Sequence, residues 1–321
     1  MVLFGLSTTQ INASTSTGVQ TLAVDCEGHT PKAYVIESAR VAASGGSPTD
    51  HANYFWGASD GSTEFAFSTR ATDGGTATND GSIRSGVAVL ELINNMTNTS
   101  DASATHDSFD TDEIAIDWGS TPPGTAHPMN VVAFYGDLLE VDLVDHVHSN
   151  TGSDPNSVSG LSFAPNLVMS WSPQIGFPDP ASGVPNWRLN HGFAYLDESG
   201  SIVQGHYASR TRSGVGINGA IGQVLRNDSI SSHIDVNASG VPTYTGIVEV
   251  TSFNSDGITV EPSASGMSFA QALLMMNIGA NRVALSFQDL ETSTSGTGAA
   301  KKITTGWTPR YGRMVGTSIP V

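Results

Sequence analysis

The chain repeats itself, and that limits what it can fold into more than any other feature. Gly28-His-Thr-Pro31-Lys-Ala-Tyr-Val-Ile36 returns as Leu161-Ser-Phe-Ala-Pro165-Asn-Leu-Val-Met169. A third, partial copy is Gly306-Trp-Thr-Pro309-Arg-Tyr-Gly-Arg-Met-Val315. Ser108-Phe-Asp-Thr-Asp-Glu-Ile-Ala-Ile116 matches Ser252-Phe-Asn-Ser-Asp-Gly-Ile-Thr-Val260, and the residues around Arg70 match those around Arg210. Asp60-Gly-Ser62 matches Glu198-Ser-Gly-Ser201, and the apolar run Val131–Phe134 matches Leu273–Met276. The offsets between partners are 134, 139, 140, 142 and 144; the matches keep their order, and the offset grows along the chain except for one small step back. That drift is the mark of an internal duplication with loop insertions and a small deletion.

Within the unit, apolar runs last four to seven residues: Ala33–Ile36, Phe65–Ser68, Val87–Ile93, Glu113–Trp118, Asn130–Tyr135 and Val141–Val144. Several alternate apolar with polar, and Gly, Ser, Thr, Asn and Asp clusters separate them. The expected fold is all-β: two tandem antiparallel β-sandwich or jelly-roll-like domains. Each repeated proline suits the first residue of a strand, where a missing N–H costs no ladder bond. Only Val87–Met96 and Met267–Met276 would also suit short helices. The polar stretch from His148 to Ser157, with its Gly and Pro, reads as a linker. The expected domains are 1–148, acidic, and 158–321, joined by 149–157.

Composition narrows the function. The chain has 321 residues, with 13 Lys+Arg against 30 Asp+Glu, a net charge of −17. That excludes the basic footprint of a nucleic-acid binder and weighs against anionic lipid. No segment approaches the ~18 apolar residues of a membrane span. Met-Val-Leu-Phe-Gly-Leu-Ser has no basic n-region, so no signal peptide is expected. A single cysteine, Cys26, allows no intrachain disulfide. Acid excess with only three lysines (Lys32, Lys301, Lys302) is compatible with high salt, which screens carboxylate repulsion. Residues 1–155 carry a net −16 and residues 156–321 a net −1.

The motifs that could carry chemistry are sparse. Gly214-Val-Gly-Ile-Asn-Gly219 is a formal G-x-G-x-x-G, but dinucleotide binding needs a strand before it and a helix after it. The expected reading is a glycine-rich loop. Asp107, Asp110 and Asp112 crowd carboxylates as half of a calcium loop would, without its Gly at the sixth position or Glu at the twelfth. They are weak metal candidates, and a solvated turn is the plainer reading. His146 and His148 would share one strand face. No third ligand stands at a zinc-like spacing, so they read as solvated histidines at a domain junction. No G-x-S-x-G elbow or Cys/His signature is present. No catalytic residue and no cofactor is expected. Exposed aromatics such as Tyr54, Trp56 or Trp187 would suit stacking on sugar rings.

The proline-led strands at Pro31, Pro165 and Pro309, and the hairpins Phe109/Asp112/Ile114 and Phe253/Asp256/Gly257/Ile258, resemble virion proteins of tailed viruses of bacteria and archaea. In those proteins a β-sandwich unit opens on a G-F-x-P-x-A strand and carries an F-x-x-D-G-F hairpin. One departure is Glu113, which replaces the glycine of the first hairpin. With the acidic composition, the resemblance implies a haloarchaeal tailed virus. The protein would be a capsid turret or decoration, or else a tail or fibre part. Its implied partners are further copies of itself and major capsid or tail proteins, with host-surface glycan or S-layer as a further target. It would be assembled in the host cytoplasm into the virion. Lys301, Lys302, Arg310 and Arg313 are the expected electrostatic contact with acidic neighbours. The strand headed by Pro309 either closes the second domain's sheet or adds to a neighbouring subunit.

Overall fold

The computed structural model describes residues 4–39, 51–72, 81–93, 99–120, 127–148, 156–173, 181–185, 188–211, 221–236, 242–263 and 270–279. Among them there are 21 strands and no helix, so the chain is all-β as expected. The first ten strands are β1 (Gly5–Asn12), β2 (Gly18–Ala23), β3 (Ala33–Ala39), β4 (His51–Ser59), β5 (Glu64–Thr72), β6 (Gly81–Ser85), β7 (Leu90–Ile93), β8 (Ser100–Asp110), β9 (Glu113–Trp118) and β10 (Pro128–Tyr135). There follow β11 (Glu140–Val147), β12 (Asn156–Ser159), β13 (Leu167–Ser172), β14 (Ala181–Pro185), β15 (Arg188–Leu196), β16 (Ile202–Thr211) and β17 (Ile221–Arg226). The last four are β18 (Ser231–Val236), β19 (Pro242–Asn254), β20 (Gly257–Pro262) and β21 (Ala270–Asn277). Both runs that would suit helices therefore carry strands, β7 and β21.

Two units share one topology. The first has a sheet β1-β10-β3-β4-β5-β6 and a sheet β2-β9-β8-β7. The second has β11-β21-β13-β15-β16-β17 and β12-β20-β19-β18. Strand for strand the two orders coincide, and β14 is the one addition. The matched motifs fall on equivalent places. Lys32, just after Pro31, donates its N–H to Phe134, and Asn166, just after Pro165, donates to Met276. Phe109 pairs with Ile114 and Phe253 with Ile258, each next to a bulge, at Asp107 and at Thr251.

The hairpins differ where Glu113 stands for glycine. In the first, Asp112 takes the left-handed conformation (φ 57°), which Asp tolerates; in the second, Gly257 carries the positive φ of 156°. Descent of the two units from one duplicated ancestor is the reading we propose for this correspondence.

Period-two burial builds each sandwich. On β9 the side chains of Ile114, Ile116 and Trp118 all enter the first core, and each fully buried side chain of this kind contributes about 1.5–3 kcal/mol. Val168, Val248, Ile258 and Met275 hold the second core. Phe109 and Phe253 lie only partly buried at the margins, so they are rim contacts rather than central anchors.

A third core joins the units. The outward faces of the two six-stranded sheets pack on each other through Val35, Trp56, Phe67, Leu167, Trp171 and Leu274, among others. Trp56 and Trp171 stack with centroids 4.3 Å apart. The result is four sheet layers in sequence. Polar contacts fasten the same junction: Arg84 pairs with Asp145, and the Leu143 N–H donates to Asp60 at 2.7 Å. β14, from the second unit's β13–β15 connection, extends the first unit's sheet by pairing with β6. The two halves are thus one stacked body rather than beads on a linker.

The expected boundary at 148–157 also shifts. β11 lies before it yet pairs with β21, so the strands change unit in residues 136–139. Counted from there, residues 1–139 carry −12 and residues 140–321 carry −5, a smaller asymmetry than the linker suggested. The linker residues 149–155 lie outside the described residues.

One glycine pair shows how closely each sandwich closes. A Cβ on Gly57 would stand 1.6 Å from the Val89 carbonyl oxygen, and one on Gly192 1.9 Å from that of Ile230. These are equivalent crossings from one sheet to the other. Gly192→Ala should lose about 3 kcal/mol or more, because backbone must move. Gly119, with nothing within 4 Å, is the control: Gly119→Ala should stay within about 0.5 kcal/mol. Equal melting temperatures for the two variants would contradict this packing.

Candidate functional site

The three carboxylates proposed for a cation go to separate tasks. Asp107 is the bulge residue of β8, and Asp110 is exposed at its end. Asp112 faces the β2–β3 connection, where its Oδ1 accepts the N–H groups of Cys26 (2.7 Å) and Gly28 (3.0 Å). Its carbonyl accepts from Val24 and its own N–H donates to His29. Asp256 repeats the clamp in the second unit, with the Leu161 N–H on its carbonyl and the Gly160 N–H 3.4 Å from its Oδ2. Among the described residues no group of three or more His, Cys, Asp and Glu could hold a metal ion. Cys26 is buried beside this clamp. Burial, then the charges of Asp112 and Asp25, push its thiol up to about 12, which keeps it from acting as a nucleophile near neutral pH.

A groove of about 450 Å3 opens where the units meet, lined among others by Pro31, Lys32, Asp60, Phe109, Asp142 and Phe163. Asp60 belongs to the β4–β5 turn and Asp142 to β11. Asp60 Oδ1 accepts from the Ser62 N–H, the Ser62 hydroxyl and the Thr63 N–H, and Oδ2 from the Leu143 N–H. Burial, then the charge of Asp60 and a hydrogen bond to it, raise the Asp142 carboxyl. Lys32 Nζ donates to the Leu139 carbonyl at 2.6 Å. Four donors hold Asp60 in place, and the Leu143 N–H among them fastens the two units together at the groove; Lys32 is tied to backbone within the first unit.

The histidine pair is not at a solvated junction. His148 and Gln271 are buried, and His148 Nε2 lies 2.5 Å from Gln271 Oε1. The His146 and His148 rings meet edge to face at 4.8 Å. Burial, then His148, lowers His146 to about 4, and burial lowers His148. The first unit has apolar residues at these places. His146 pairs with Gln271 in β11–β21 where Ile11 pairs with Met129 in β1–β10, and Ala13 stands where His148 does. The second unit has made one end of its core polar.

The remaining candidates fall as follows. Trp56 is fully buried against Trp171 and is closed to a sugar ring. Tyr54 is partly buried beside His191. The glycine-rich segment 214–219 lies outside the described residues, but it joins the antiparallel neighbours β16 and β17, with Thr211 opposite Ile221, where no helix follows. Trp187, Lys301, Lys302, Arg310, Arg313 and the Pro309 motif also lie outside the described residues. The repeat marked Arg70 and Arg210 as equivalent. It did not reveal Arg188, which only the β15–β16 register places opposite Arg210. No family model, curated protein or solved structure matches the chain.

Proposed function

We propose that this chain is a non-enzymatic structural protein of a virus particle, a surface turret or decoration in preference to a tail or fibre part. The observation that supports it most is the four-layer stack. Motif residues that could have served chemistry clamp loops or join the two units instead. Such a body is stiff and well suited to bearing load. The acidic surface and the hairpin motifs fit the particle of a haloarchaeal tailed virus, where the chain would assemble with copies of itself and with capsid or tail proteins. The sugar-binding alternative has lost Trp56 as its platform. Antibody against the chain, applied to purified particles and viewed by electron microscopy, tests the reading. Label on capsid vertices or faces supports it, label on tails moves the position, and particles free of the protein overturn it.

Salt provides a second measurement, on the intact chain because separated halves would expose the Trp56–Trp171 core. The Debye length grows from about 3 Å at 1 M to about 30 Å at 0.01 M. Repulsion among the surface carboxylates should then lower the melting temperature by roughly 3 °C for each 2 kcal/mol lost. A melting temperature unchanged on desalting would refute adaptation to high salt.

A further inference from the structure

We propose that the lysine pair Lys301–Lys302, in the chain's own C-terminal segment, docks in the acidic groove between the two units. The groove, of about 450 Å3, carries Asp60 from the first unit and Glu140 and Asp142 from the second, against Lys32 alone. No ion pair among the described residues uses any of these three carboxylates. Glu140 Oε2 accepts from the Asn277 amide at 2.8 Å, and the Lys32 ammonium donates to the Leu139 carbonyl. Asp60 and Asp142 are hydrogen-bonded to each other, and the charge of Asp60 raises the Asp142 carboxyl. A cation beside them relieves that repulsion and is attracted by both. Phe109 and Phe163 supply apolar wall. A lysine stem packs on such rings and carries its ammonium on to the carboxylates.

Two observations single out this segment as the occupant. The first is where the described residues end. Asn277, whose amide bonds Glu140 at the groove, stands two residues before Gly279, and the Gly279 carbonyl accepts from Asn166 at 2.9 Å. Residues 280–321 therefore set out from the groove's edge. The second is charge. Residues 292–321 hold four basic residues and no acidic one, in a chain with 13 basic residues against 30 acidic ones. Lys301 and Lys302 are adjacent, and the two alanines before them are small enough to follow the pair into a groove. Lys301 lies 22 residues past Gly279. Even a random coil of that length spans roughly 25 Å r.m.s., so the pair has ample reach. A tether so short gives an effective concentration on the order of millimolar, which favours the chain's own groove over that of a second copy. The inference does not depend on any position in a virion.

Two measurements on the intact chain test it. Limited trypsin digestion, followed by mass spectrometry, reads how fast the chain is cut after Lys301 and Lys302. The double variant Glu140→Gln/Asp142→Asn keeps the side-chain shapes, so folding should survive, as circular dichroism would show. Cleavage there should be about fivefold or more faster than in wild type. Zero-length carbodiimide coupling of the wild type locates the contact, because it joins a lysine amine only to a carboxylate it touches. An equal mixture of unlabelled and isotope-labelled chains separates contacts within a chain from contacts between chains. Lys301 or Lys302 coupled to Asp60, Glu140 or Asp142 of the same chain supports the site. Mixed-label pairs would mean that a second copy fills the groove, and they overturn it. Coupling to other carboxylates alone, no coupling of either lysine, or an unchanged cleavage rate in a folded double variant overturns it as well.

Discussion

Trp171→Ala should cost about 3–5 kcal/mol and should lower the melting of both sandwiches in a single transition. Trp171 belongs to the second unit, and the first unit's own core, built on residues such as Leu22, Tyr34 and Ile36, does not contain it. The loss reaches the first unit because Trp171 fills the core between the two six-stranded sheets, stacked on Trp56. Opening that junction would bare the outer faces of both sheets to water. Trp56→Ala should behave alike, and a double-mutant cycle should return about 0.5–1.5 kcal/mol of coupling for the ring pair. Calorimetry decides it. Two separate transitions, with the first unit unmoved by Trp171→Ala, would show independent domains and refute the stacked body.

Acid should unfold this protein between pH 6.5 and about 4, and the second unit should cause it. His146, His206 and His233 are each lowered to about 4, burial being the first cause in each, and all three belong to that unit. The sign follows from the folded state's preference for neutral imidazole. Above pH 6.5 neither state binds the proton and nothing is lost. Below it the unfolded chain takes up protons that the folded chain refuses, so stability falls until about pH 4. Each such histidine costs about 2 kcal/mol at pH 5. Three together reach a large part of an ordinary total stability of about 5–15 kcal/mol.

Glu64, Asp142 and Glu249 work the other way. Burial raises each carboxyl, so each adds stability as pH falls. Two of these belong to the first unit or the junction, which sharpens the contrast between the units. The triple change His146→Ile, His148→Ala and Gln271→Met gives the second unit the residues of the first. It should move the acid midpoint to lower pH in a circular-dichroism titration. An unmoved midpoint would sink the assignment.

Much of the fold was legible in the sequence because its signals are local. The alternation in Glu113–Trp118, the prolines at 31 and 165, and the glycines of the β4–β5 and β15–β16 turns each constrain a few neighbouring residues, and a repeated local signal repeats the topology. The candidate site was less legible. The crowd of carboxylates at 107–112 became a bulge, an exposed end and a loop clamp, because a carboxylate's role depends on which N–H groups the β2–β3 connection brings to it. The sequence also carries a signal of the stacking. Val131-Val-Ala-Phe-Tyr135 and Leu273-Leu-Met-Met276 are apolar at successive positions, and in an antiparallel sheet that means both faces are covered.

By itself, then, the sequence determined an all-β chain, two units with equivalent motifs in the same order, and an acidic surface. Only the tertiary structure decided that the units stack through their outer faces, that His148 is buried against Gln271 with His146 beside it, and that Arg188 meets Arg210. Strand periodicity says which residues share a face. It cannot say which sheet, solvent or charge that face will meet, because those contacts join residues far apart in the chain.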